Sequence, residues 1–392
     1  MHAATSPSSF ARLFGLGSVF GKTVRDSRLP VVGLGVVLGL IVVATGFTLA
    51  DQFSTAADRA AVAAQMAAMP AMFRGLLGEP INIETLPGFL SWRAIGFMPV
   101  MLGLWAVTTY AGTLAGEASK GTLEMALSAP ISRTSVALQK LGAHLGGMVV
   151  IVLILSFLTW LTGALFGSLP GDDVDPFAAF AEFAGVALLA LLFAAIAFAV
   201  SPLLGRTLGA GVGGVALIGT YVVNGYSGLV PGFDVLRVIS PFYWVTGHRP
   251  LAGRYDWPPI LLIALLCAVL FAVGVVLFAR RDLASTVSLV GEAGARGRLS
   301  RMGFVGRAIE RLSFGSWSLG GPGLRSFAER LPAAIGWGAL MGIYGFVIAI
   351  SADEFVKSLA QVPQVIEMVK QLYPNVDILS AGGLLQLTLF GF

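Results

Sequence analysis

The sequence predicts an all-α polytopic membrane protein, and three observations predict it. Of 392 residues, 56% are hydrophobic and only 12% are charged, whereas soluble domains carry about 25% charged residues. The apolar residues gather into runs of roughly twenty or more, long enough to cross ~30 Å of hydrocarbon at ~1.5 Å per helical residue. The 50 glycines suit helices that approach one another closely inside a bilayer. The single cysteine, Cys267, lies within an apolar run, so no intrachain disulfide can form.

Taken in order, residues 1–30 come first. Phe10, Leu13, Phe14, Val19 and Phe20 lie among Arg12, Lys22, Arg25 and Arg28, the pattern of an interfacial elbow helix in the headgroup plane, with a plain cytoplasmic tail as the alternative. Apolar spans are expected at 31–50, 95–115, 141–167, 177–200, 208–230 and 259–279. These make residues 31–279 a first transmembrane domain of six spans. Residues 280–332 follow as a basic linker with nine arginines. Further spans are expected at 333–351 and from near Gly382.

Orientation follows from the distribution of Lys and Arg. With a cytoplasmic N-terminus, the inside segments hold 17 of these residues and the outside segments hold 8. The loop carrying Asp172, Asp173 and Asp175 has no positive charge and falls outside. The expected location is the inner or plasma membrane, multi-pass, with the N-terminus in the cytoplasm.

The chain also repeats itself. Arg28-Leu29-Pro30 recurs as Arg330-Leu331-Pro332, and Ala50-Asp51-Gln52-Phe53 recurs as Ala352-Asp353-Glu354-Phe355, both at an offset of 302 residues. Leu38 with Leu340 and Ile41 with Ile343 keep the same register. A fixed offset with matching hydropathy reads as duplication; a basic cytoplasmic tail followed by an unrelated helix is the plain alternative. An even number of spans per unit makes the copies parallel. Residues 333–392 are then expected to be the incomplete start of a second transmembrane repeat, about 180 residues short of a complete second half, through either a fragment or a truncated gene.

Few residues invite chemistry. Gly15 to Thr23 approximates a phosphate-binding loop, but the pattern G-x-x-x-x-G-K-[ST] requires glycine at the position of Leu16. No strand precedes it, so no nucleotide site is expected and the chain is not read as an enzyme. His2, His144 and His248 are scattered, without metal-ligand spacing. No cofactor and no nucleic acid are expected to bind this chain. Glu182 lies inside the fourth span, where an acid is a functional candidate. It fits a proton carrier of a secondary transporter, and it also fits a carboxylate reaching the nearby interface. Gly205, Gly209 and Gly213 recur at i, i+4 and i+8, a smooth face for helix packing.

The longest polar interruption between early spans is 116–140. Glu117 and Glu124 are seven residues apart and share a face of a helix. Gly121 allows a turn, and Pro130 ends the segment before Arg133 enters the next span. A short surface helix bearing acids, held between two spans, offers a handle at the cytoplasmic face. An ordinary solvated loop is the plain alternative.

At these residues the sequence resembles the permease subunits of ABC-2 type exporters. Glu117, Lys120, Gly121, Thr122, Leu123, Glu124, Pro130 and Arg133 stand in a stretch similar to the family's E-x-x-x-G-T-L-E-x-L-L-x-x-P-[IV]-S-R segment. Ile239 to Trp244 resembles its S-P-F segment, Phe278 to Leu283 its F-x-R-R-D-[IL] ending, and Ser8 to Pro30 its elbow helix. The duplicated form is similar to long two-half permeases that export polyketides or other antibiotics. The resemblance implies two cytoplasmic ABC ATPase subunits that use ATP and Mg and push on the Glu117–Arg133 segment. It implies export of a hydrophobic small molecule, such as an antibiotic, drug or lipid. A second permease chain is implied as a partner if the second half is absent.

Overall fold

The computed structural model describes residues 17–67, 78–119, 131–227, 230 and 232–280, together with 338, 342, 345, 380 and 382. The expected linker and second repeat otherwise lie outside the described residues. The chain divides into two compact units. The first comprises Met1–Ala68, Glu79–Ile218 and Trp244–Val287, and the second Met69–Gly78, Gly219–Tyr243 and Ser288–Phe392.

The first long helix, α1 (Val19–Gln52), starts at Ser18, whose Oγ accepts the Gly21 N–H at 3.0 Å. It runs 34 residues without a break at Pro30. The described part of the expected elbow, residues 19–30, is therefore a continuation of the first span rather than a separate helix. The reasons are local. Pro30 is exposed, and a proline removes only one intrahelical donor. The Thr23 and Ser27 hydroxyls bond back to the carbonyls of Val19 and Thr23. Phe20 N–H donates to Gln139 Oε1 at 3.2 Å, tying the first turn to another helix.

After α2 (Ala56–Ala67), the chain enters α3 (Leu86–Leu90), a π-turn at Ser91–Ile95 and α4 (Met98–Ser119). Leu90, Ser91 and Gly96 are all right-handed helical. The helical path of the second crossing therefore begins at Leu86, earlier than the expected residue 95. Next come α5 (Arg133–Phe166) and α6 (Pro176–Gly225). In the second unit, α7 (Phe233–Arg237) leads to α8 (Pro241–Trp244), which ends across the boundary. A 3₁₀ turn at Pro250–Ala252 precedes α9 (Trp257–Arg280).

Among the described residues, five helices are long and apolar enough to span a membrane: α1, α4, α5, α6 and α9. Helix α6 counts twice. Its 50 residues are broken at Gly205, at φ 82° and ψ 174°. A Cβ added at Gly209 would meet Ser201, and one at Gly213 would meet Ala197. Residues equally distant from Gly205 therefore face each other, so the two limbs form a hairpin. This gives six crossings where the sequence places the first six spans.

Contacts set the directions. Val31 meets Gly147, Gly35 meets Ile154, Gly39 meets Leu158 and Gly46 meets Thr162. Both numbers rise together, so α1 and α5 are parallel, as two crossings of the same sense must be. On α4 and the second limb of α6 the pairs are Gly103 with Leu217 and Gly112 with Arg206, so these two run antiparallel. The buried stripe of α1 is Val31, Gly35, Leu38, Gly39, Val42, Gly46 and Leu49. Its spacings of three and four make a seam of small and branched residues, the arrangement that lets membrane helices approach closely.

Candidate functional site

The polar chemistry of the described bundle concentrates at the end where α1 and α5 finish. Glu182 lies six residues into α6 and is 2% exposed. Its Oε1 accepts from Ser91 Oγ at 2.7 Å, and its Oε2 accepts from Leu251 N–H at 3.2 Å. Arg249 Nη1 stands 3.7 Å from Oε1. One carboxylate thus joins the π-turn of the second crossing, the fourth crossing and the turn before α9. Asn82 Nδ2 donates to Ala252 O at 2.9 Å and ties the stretch just before α3 to the turn before α9.

Asp172 is the other node. Arg59 of α2 donates to its Oδ1 at 2.6 Å, and the side chains are 1% and 3% exposed. Leu86 N–H also donates to Oδ1, and the Ser168 and Leu169 N–H groups donate to Oδ2. Burial pushes the Asp172 carboxyl up, but Arg59 and the N–H groups of Leu169, Leu86 and Ser168 outweigh it. The group is held below the usual carboxylate range. His248 completes the layer. Its Nδ1 accepts from Asp256 N–H at 3.2 Å, its Nε2 stands 3.4 Å from Ala181 O, and its ring meets Trp257 edge-on at 5.1 Å.

The other half of the bundle is packed with rings. Tyr110 of α4 lies 5.5 Å from both His144 of α5 and Phe271 of α9, and Phe271 lies 5.5 Å from Phe198 of α6. Four crossings meet there.

The expected site residues divide as follows. Glu117 lies in the last turns of α4, and Arg133 opens α5 behind the Ser132 cap, whose Oγ accepts from Ser135 N–H. The side chain of Glu117 and residues Lys120, Gly121, Thr122, Leu123, Glu124 and Pro130 lie outside the described residues. Gly209 and Gly213 lie against the first limb of α6. Gly205 departs from the expected packing face. A Cβ there would meet nothing within 4 Å, and its positive φ makes the reversal instead. Within the S-P-F segment, Ser240 Oγ donates to Thr220 O at 2.9 Å, and Phe242 meets Tyr221 edge-on at 5.4 Å. Among the described residues, no three His, Cys, Asp or Glu groups are arranged to hold a metal.

A family model for ABC-2 family transporter proteins matches residues 19–283. The chain belongs to that family. The match opens on the first residue of α1 and closes just past α9, so it covers the whole six-crossing bundle. No curated protein matches the chain. As a multi-pass member of the ABC-2 family, the chain has the crossings, the interruption between α4 and α5 and the S-P-F turn inside the matched region.

Sequence reasoning missed two features. The Gly35-Val36-Val37-Leu38-Gly39 stretch carries the small-xxx-small signal for close packing, and that signal was available. The Arg59–Asp172 pair joins residues 113 apart in sequence, and nothing local announces it.

Proposed function

We propose that the chain is the membrane-spanning permease subunit of an ATP-driven exporter that moves a hydrophobic small molecule, such as an antibiotic, drug or lipid, out of the cytoplasm. The observation that carries this reading is the family match over all six crossings. In this reading the chain has no nucleotide site of its own and is not an enzyme. ATP and Mg are used by two ABC ATPase subunits at the cytoplasmic face. Their closure acts through differential affinity for two states of the bundle. The handle is the segment from Glu117 to Arg133, which joins the ends of α4 and α5. The residues assigned to that handle are Glu117, Lys120, Gly121, Thr122, Leu123, Glu124, Pro130 and Arg133. The N-terminus is cytoplasmic and the membrane is the inner or plasma membrane. A second permease chain completes the path if no second half does.

A proton-coupled mechanism through Glu182 is less well supported. Both oxygens of that carboxylate are occupied by Ser91, Leu251 and Arg249, which suits a structural tie better than an exchanging carrier.

The test is affinity purification of the tagged chain from its native host in mild detergent, followed by mass spectrometry. A co-purifying ATPase is expected. Glu117→Ala together with Glu124→Ala should release it and abolish ATP-dependent export. Recovery of the chain without an ATPase, with transport surviving ATP depletion, would sink the reading.

A further inference from the structure

We infer that Glu182 latches one end of the six-crossing bundle shut, and that the π-turn Ser91–Ile95 is the part it restrains. Two independent observations meet here. The first is the carboxylate itself. It is buried and bonded to three groups from two other segments, Ser91 on one side and Arg249 and Leu251 on the other. A buried carboxylate so placed holds its neighbours firmly, because each group freed by its loss is left unpaired away from water.

The second observation is the backbone that the carboxylate holds. π-turns inside helices cluster at functional positions and are among the few places where a helix bends sharply. In the second crossing that turn spans Ser91–Ile95, with Ser91, Trp92, Ala94 and Ile95 buried. Ser91, its first residue, is the one bonded to Glu182. The π-turn of the crossing is thus also the tied one. On the partner side, Arg249 pairs through its backbone with Arg254 around the 3₁₀ turn. Leu251 and Arg249 therefore move with one compact loop. Breaking the Glu182 contacts frees the π-turn itself from that loop, while the Asn82–Ala252 and Leu86–Asp172 bonds still hold the stretch before it, so the second crossing can then bend at the π-turn.

The inference deepens the permease reading, since such an opening is the release mouth of an exporter, but its test needs neither cargo nor ATPase. The natural single cysteine, Cys267, is buried in α9 and serves as an internal reporter of general loosening. A second thiol is placed in the π-turn by Ala94→Cys, at a residue 7% exposed. The purified full chain in lipid nanodiscs is treated with a water-soluble maleimide, and both sites are read by peptide mass spectrometry. With Glu182 intact, both thiols should resist labelling. Adding Glu182→Ala should speed labelling of the π-turn thiol at least tenfold while Cys267 stays protected. Glu182→Gln keeps an acceptor for Ser91 and should fall between. Continued protection of the π-turn thiol in Glu182→Ala overturns the latch. Simultaneous labelling of both thiols overturns it too, because Glu182 would then support the fold generally. Loss of ATPase association in the purification experiment would remove the permease reading and leave this result standing.

Discussion

At the scale of single residues, Asp172 and Glu182 carry the heaviest polar duties. Asp172 holds a buried arginine and three backbone N–H groups. Removing one partner of such a pair costs about 3–5 kcal/mol, so Asp172→Ala should lower the melting temperature of the purified chain strongly. The pH dependence has a definite sign. The carboxyl is held below its ordinary value in the folded chain, so its stabilisation is complete above about pH 4. It fades as pH falls through the lowered value. Scanning fluorimetry should find a full gap between wild type and Asp172→Asn at pH 6 and a shrinking one below about pH 4. The sequence shows three aspartates in one loop and no reason to separate them. Only Asp172 turns inward, while Asp173 and Asp175 are exposed. The choice depends on Arg59 and Leu86, which lie far away along the chain. Glu182 was legible as an intramembrane acid, but its partners were not, for the same reason.

At the scale of elements, the spans were legible because apolar length is a local property. Their beginnings were less so, because capping and turn chemistry move them. The run before Pro30 reads as amphipathic, yet the helix continues through it once Gln139 and Gly142 of α5 support Phe20. The seam between α1 and α5 makes a sharp prediction. A Cβ at Gly46 would run into Thr162, whose hydroxyl is bonded to Leu158 O at 2.7 Å and cannot turn aside freely. Gly46→Leu should destabilise by about 1–3 kcal/mol through overpacking. Gly33→Ala, with nothing within 4 Å, should be neutral or better, and thermal melts of the two variants will separate them. The hairpin of α6 has its own check. Spin labels at Leu188 and Ile218 should lie within about 20 Å of each other across paired limbs, where an unbroken helix would hold them ~45 Å apart. Gly205→Ala should cost about 1–3 kcal/mol, because φ 82° with ψ 174° is a backbone conformation almost reserved for glycine.

At the scale of the whole molecule, the class and the first six crossings were written in the hydropathy, and the family follows from the match over 19–283. Which crossings touch was not written there, because lipid-facing and helix-facing residues are equally apolar. Hence the parallel pairing of α1 with α5 came only from the coordinates. That pairing bears on how the machine is mounted. Each of these helices is 34 residues long, or ~51 Å, well beyond ~30 Å of hydrocarbon. If apolar packing starts near Val31, then Arg28, Arg25 and Lys22 stand ~4.5, ~9 and ~13.5 Å further out along a straight post. Lifting the post by one turn, ~5.4 Å, would draw Arg28 into the oil, where a cation is costly. Those charges act like a waterline on a hull. They fix the draught of α1, and with it that of α5, which packs along α1 from Gly147 to Thr162.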